Sequence, residues 1–393
     1  MKKIYSLLLL GGLLLLGAQN ALGTNYLRGS WYSDWYGIAI ADNTDVEVFL
    51  AYNTEYSFEI ANAQASSGDW RRVNTTQYTA TGSQTLSAWD GVCSIKTGAA
   101  GIYKFKITSW DNGNPVLSIT YPANPTSYVV YFDETGLTWG QKNAHIYTSD
   151  DKNITGSWPG KEATLVSGSI YKVEFESAVA PANIIWSNNG ENQLSTQSYI
   201  NGVIFDKDGN KFHQLSLTAG KWASFCPSID VTIPSGVTAY KGAVSGSDAI
   251  LTDIEQSTVN AGVGVILKAS ADGTYTFSST SGAAFDGNAL QGTTVRKARN
   301  LSKVTYALYT DGEGVQKFTK YVGDYIPTNK AYFELEGEVS LAPDAFRIVD
   351  GEDEATDIKA FEASDKAMKF IENGKLYIQK NDVVYDATGR IVK

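Results

Sequence analysis

The chain has 393 residues and a formal net charge of −10, so it carries no basic footprint for nucleic acid or anionic lipid. Its two histidines, His145 and His213, give no metal-ligand spacing, and its two cysteines, Cys93 and Cys226, read as free buried thiols rather than a staple. Charged residues make up only 19% while Gly reaches 37 and Tyr 23, the profile of short strands and polar turns, so the expected fold is all-β.

At the N-terminus, Met1-Lys2-Lys3 precedes an apolar run through Leu16 and a small-residue segment. That order is the signature of a secretory signal peptide, with cleavage expected near Gly23. The run is too short and wrongly flanked for a stable membrane span. No other stretch is apolar enough to cross a bilayer, and no cysteine follows the run to take a lipid. The mature chain is therefore expected outside the cell or on its outer surface.

Alternating patches follow at residues 46–50, 56–60, 103–107 and 171–175. Period two with β-branched and aromatic residues predicts half-buried strands. Asp111-Asn112-Gly113, Asn189-Gly190, Asp208-Gly209 and Asp272-Gly273 are turn signals between them. Antiparallel sheets packed as sandwiches are the expected result. Pro122 and Pro125 mark one boundary, the polar run 206–210 a second, and the acidic run 350–356 a third. The domains expected are a signal peptide (1–23), an N-terminal β-sandwich (24–125), a second sandwich (126–210), a β-rich spacer (211–349), and an acidic linker with a short β tail (350–393). Both sandwiches are expected to be immunoglobulin-like.

The most informative stretch is 128–206. It runs Tyr-Val-Val-Tyr-Phe at 128–132, Trp139, Asn-Ala-His-Ile-Tyr at 143–147, Gly-Ser-Trp-Pro-Gly at 156–160, and Asn-Ile-Ile-Trp-Ser-Asn-Asn-Gly at 183–190. On a strand, His145 and Tyr147 share one face, and Ala144 and Ile146 take the other as the core. Trp158 sits before Pro159-Gly160, where a stiff turn would hold its indole as a platform. Aromatic faces stack on the apolar face of a pyranose, and Asn and Gln meet its hydroxyls. The competing readings are a structural turn residue for Trp158, strand filler for Tyr147 and a bystander for His145. Trp186 reads as core and Trp139 as edge packing.

These residues resemble carbohydrate-binding module family 26, the starch-binding sandwiches. In that family two aromatics two apart, then a Trp eleven further on, form the α-glucan platform. The resemblance implies His145, Tyr147 and Trp158 as the platform, with His145 in place of the usual Tyr. It implies polar contacts from Asn188 and Gln193. The first sandwich opens Tyr-Leu-Arg-Gly-Ser at 26–30 and is similar to glycogen-binding-type sandwiches, which puts a second candidate glycan site at Trp35 and Trp70. Residues 211–349 resemble a β module of Bacteroidetes surface proteins. The tail, with Asp-Ala-Thr-Gly-Arg-Ile-Val at 386–392, resembles that phylum's type IX sorting segment, ending early.

No Gly-x-Ser-x-Gly elbow or phosphate-cradling loop is present, and no carboxylate pair on a cleft-bearing scaffold is evident. Asp150, Asp151 and Asn153 are too loose a set for a metal. The expected function is non-catalytic binding of starch or a related α-glucan, with no cofactor. Partners would be the polysaccharide and outer-membrane glycan-uptake or secretion machinery. The alternatives are binding of mucin or a bacterial polysaccharide, and a structural or adhesion role.

Overall fold

The computed structural model describes residues 24–65, 70–71, 76–86, 93–337, 342–351, 368–372, 375–380 and 383–386. The expected signal peptide, the acidic run beyond Gly351 and residues 387–392 of the sorting-like tail lie outside the described residues, while Asp350 ends a strand. The fold is all-β, as the composition implies. Two compact units divide it. The first comprises residues 1–125 with 147–157 and 176–181, and the second comprises 126–146, 158–175 and 182–393.

The first unit is a two-sheet sandwich. One sheet runs Ile38–Ala39, Tyr26–Gly29, Glu55–Ala61, Cys93–Lys96, Thr76–Tyr78, with Trp70–Arg71 pairing Glu55–Ala61. The other runs Val46–Leu50, Gly101–Asp111, Asn114–Thr120, Gly82–Thr85. Alternation places the core: Val46, Val48 and Leu50 are buried while Glu47 between them is exposed. Leu27, Phe58 and Ile60 from one sheet and Tyr103, Phe105, Ile107, Leu117 and Ile119 from the other close one cluster. Beneath it Arg28 is buried and donates from Nε to Glu59 at 2.9 Å.

Two further sheets lie mainly in the second unit, with Tyr147 and residues 176–177 of their strands assigned to the first; one sheet runs Thr164–Ser167, Ile170–Ser177, Thr126–Asp133, Ile204–Phe205, Lys211–Leu217, Gly273–Ser278. A four-stranded sheet runs Lys161–Glu162, Lys142–Tyr147, Asn183–Asn188, Gln197–Ser198. Phe132 and Trp186 stack between them with centroids 4.9 Å apart, and Trp139 stacks on Phe132 at 5.4 Å. Trp186 is 1% exposed, so it is core, and Trp139 is edge packing.

Residues 206–210 form a hairpin turn in this sheet, where the sequence suggests a boundary. Asp206 Oδ1 accepts from the backbone N–H groups of Asp208 and Asn210, and Gly209 takes φ +80°. The turn joins Ile204–Phe205 to Lys211–Leu217, so hydrogen bonding continues across position 210. An Asp-Gly signal marks a tight turn, and a hairpin uses it as readily as a linker does.

Beyond it, a nine-stranded sheet runs Trp222–Phe225, Val265–Ala269, Val237–Ser245, Asp248–Asp253, Ala345–Asp350, Gln316–Lys320, Val304–Thr310, Lys330–Leu335, Leu290–Thr293. Tyr240, Leu251, Ile266, Tyr306, Phe318, Phe333 and Phe346 form its core. The tail strands Met368–Glu372, Lys375–Lys380 and Val383–Asp386 pair antiparallel.

Pairing among the described residues is mostly antiparallel, as expected, and some strand pairs are parallel. Thr76–Tyr78 pairs Cys93–Lys96, Thr126–Asp133 pairs Ile204–Phe205, and Asp248–Asp253 pairs Ala345–Asp350. Turn signals specify only strands joined by short loops, whereas parallel partners need long connections that leave no local mark.

Candidate functional site

The strand Lys142–Tyr147 builds the site. Ala144 and Ile146 are fully buried, whereas His145 and Tyr147 are half-buried on the opposite face. That split follows from the period-two pleat, and it is the one expected from sequence.

The turn after it is held by register. Asn143 pairs Glu162 and Ala144 pairs Lys161, antiparallel, which sets Gly160 opposite His145. Gly160 takes φ +83°, and a Cβ there would stand 2.2 Å from Ala144 O and 2.6 Å from His145 Cα. Only glycine lets the chain approach this closely in that conformation. Two residues back, Trp158 projects beside His145, with ring centroids 5.5 Å apart and planes at 70°. Trp158 is 40% exposed.

The 188–191 hairpin closes the other side. Asn188 and Glu191 exchange backbone hydrogen bonds at 2.9 Å. Gly190 takes φ +88°, and a Cβ there would meet Trp158 Nε1 at 2.9 Å. Asn188 Oδ1 accepts from Gln141 N–H at 3.2 Å, and Asn189 N–H donates to Gln141 O at 3.1 Å. The indole is thus flanked by His145 at one edge and by Gly190 at the other.

Burial pushes the His145 imidazole below its ordinary range, so it is neutral at pH 7. A neutral ring beside an indole suits an uncharged ligand.

Gln193 is exposed on the loop beyond the hairpin. It lines a groove of ≈ 260 Å³ with Gln197, Asp206 and Lys207, and the lining holds neither Trp158 nor His145. Asp150 accepts from the Thr148 hydroxyl at 2.5 Å and lies 3.6 Å from Lys152 Nζ, as a turn residue does. Among the described residues no three His, Cys, Asp or Glu side chains gather into a metal site. Among the same residues no helix is long and apolar enough to cross a membrane.

Residues 130–199 match the family described as starch-binding module 26. A starch-binding module is therefore found there, and starch or α-glucan binding is the activity it indicates. Such a module is a carbohydrate-binding, non-catalytic domain. Its span contains His145, Tyr147, Trp158, Asn188 and Gln193. No curated protein and no solved structure matches the chain.

The second candidate pair behaves differently. Trp35 is half-buried at φ +55°, a left-handed conformation that costs a bulky residue about 1–3 kcal/mol. Trp70 lies in the short strand Trp70–Arg71, and its side chain is outside the described residues. The exposed rings nearby are Tyr32 at 45% and Tyr36 at 51%. The sequence pattern puts Tyr36 in the aromatic cluster of this unit but singles out neither ring as a site. Their spacing about the Asp34-Trp35 turn was the available signal.

Proposed function

We propose that the chain is a non-catalytic binder of starch or related α-1,4-glucan, working outside the cell or on its outer surface. His145, Tyr147 and Trp158 supply the stacking rings, and Asn188 and Gln193 the polar contacts. The supporting observation is that the starch-binding match at 130–199 encloses a tryptophan held open on a turn that two glycines lock in place.

Stacking of this kind is modest. Each ring covers about 50–100 Å² of sugar, roughly 1–2.5 kcal/mol at about 25 cal/mol per Å². Two or three rings stand against an association cost of at least about 4 kcal/mol. A single site then binds in the range from ~10 µM to ~1 mM. The remaining folded surface serves to carry and space this module, and glycan-uptake or secretion machinery is the partner class that suits an exported binder.

The test is pull-down of the whole chain on insoluble starch, with a β-glucan control. Retention on starch and not on β-glucan is expected. Equal retention on both, or on neither, overturns the assignment.

A further inference from the structure

We infer that the loop of residues 30–37 in the first unit is a second α-glucan stacking site, with Tyr32 and Tyr36 as its rings; the choice of ligand rests on the starch reading above. Both rings are exposed, at 45% and 51%, within five residues of each other. Isolated apolar side chains on a surface are ordinary, but two large rings on one short loop are not.

The loop is rigid. Ser30 N–H donates to Ser57 O at 2.9 Å, and Ser57 N–H returns a bond to Ser30 Oγ at 3.1 Å. Trp31 turns inward and packs on Phe58 and Phe105, with centroids 6.3 and 5.4 Å away. Tyr32 N–H bonds Gly29 O, and Trp35 N–H bonds Tyr32 O at 3.1 Å. Tyr36 N–H donates to Asp34 Oδ1 at 3.1 Å. Gly37 N–H donates to Gln64 O at 2.8 Å, and Gln64 Nε2 donates back to Gly37 O at 3.2 Å. A Cβ at Gly37 would stand 2.7 Å from Tyr26 Cβ, so the base of the loop is closely packed. Within this frame Trp35 is held at φ +55°, which turns the chain between the two tyrosines. Strain of this sort persists only where the surroundings enforce it, and it concentrates at ligand-binding loops.

The chemistry points to a neutral, ring-bearing ligand. Asp34 is the only charged residue from 30 to 37, and its Oδ1 is already engaged by Tyr36 N–H. A charged peptide would find no matching charge here. Two exposed phenols offer flat apolar faces with a hydroxyl at each tip. That combination fits a pyranose, whose axial C–H face is apolar and whose rim is hydroxylated. A chain that already holds one weak glucan module gains most from a second site on the same polymer.

The test uses the whole chain in affinity electrophoresis through soluble starch. Three variants are compared with the unmutated protein: Tyr32→Ala with Tyr36→Ala, Trp158→Ala, and the triple. The tyrosine pair is expected to lower apparent affinity roughly tenfold, Trp158→Ala to leave residual retardation, and the triple to leave none. Tyr32→Phe with Tyr36→Phe, which keeps the rings, is expected to keep most of the retardation. Unaltered retardation of the tyrosine pair, or full loss in Trp158→Ala alone, overturns this site and leaves the starch reading standing. Absence of retardation in the unmutated chain overturns both.

Discussion

Replacing Trp158 by alanine isolates the platform. The side chain is 40% exposed, and a tryptophan presents up to ~250 Å², so about 100 Å² faces water. A sugar covering most of that removes about 60–100 Å² from solvent, worth roughly 1.5–2.5 kcal/mol. The expected loss of affinity is therefore about ten- to seventyfold. Affinity electrophoresis through soluble starch reads this directly as recovered mobility. The whole chain must be used, because the sheet holding Thr126–Asp133 continues to Gly273–Ser278 and a fragment cut at residue 210 would expose its edge. Leu301→Ala is the control: that side chain is 74% exposed in the second unit and should leave retardation unchanged. The indole packs against His145 and Gly190, so a melting curve should accompany each variant. If a folded Trp158→Ala protein runs with the same retardation as the unmutated chain, the platform is elsewhere.

Other expectations follow from single residues. Gly160→Ala should destabilise the second unit and weaken starch retention together, since its Cβ would collide with Ala144 O from a φ of +83°; thermal melting and electrophoresis check the pair of effects. His213 is buried and accepts from Ser228 N–H at 3.0 Å; burial pushes its imidazole down to about 4, against an opposing hydrogen bond at the Gly202 backbone. The unfolded chain takes up that proton below about pH 6.5, so stability is full above that value and falls towards pH 4 by up to about 3 kcal/mol. Urea unfolding at pH 7 and 4.5 should show the loss, and His213→Gln should flatten it. Cys93 and Cys226 are buried and not joined in a disulfide, and burial pushes the Cys226 thiol up to about 12, so a thiol reagent should label both only after denaturation.

Strand positions and core faces were legible because pleat and burial share a period. Val46, Val48 and Leu50 went inside, as did Ala144 and Ile146, because the pleat sends alternate residues such as Glu47 and His145 to the other face. The Trp-Pro-Gly turn was legible from Pro159-Gly160 themselves, and the structure adds that Gly160 lies opposite His145, where a Cβ would collide with Ala144 O. The parallel pairs were not, because their partners are remote and carry no turn signature. Nor was the choice between hairpin and linker at 206–210, which depends on whether a later strand pairs with Lys211–Leu217. Which aromatics of the first unit face solvent was not legible, for a related reason. Trp31 turns inward onto Phe58 and Phe105, Trp35 is half-buried, and Tyr32 and Tyr36 are left outside. In a tight loop neither period two nor residue size says which ring faces solvent.

The energetics connect these observations to use on a polymer. The proposed site, with one open indole, one half-buried phenol and one half-buried imidazole, has too little apolar area to hold a short oligosaccharide tightly. Tightening it by burying the sugar would need walls, and the rings at Trp158, Tyr32 and Tyr36 lie open instead. Open platforms accept the middle of a long chain as easily as its end, since nothing blocks the polymer on either side. Loss from one platform is then countered by the high local concentration of neighbouring glucose units, and of any second platform on the same protein. Such a protein should retain starch granules well while binding maltose weakly, and the gap between those two measurements should narrow when either set of rings is removed.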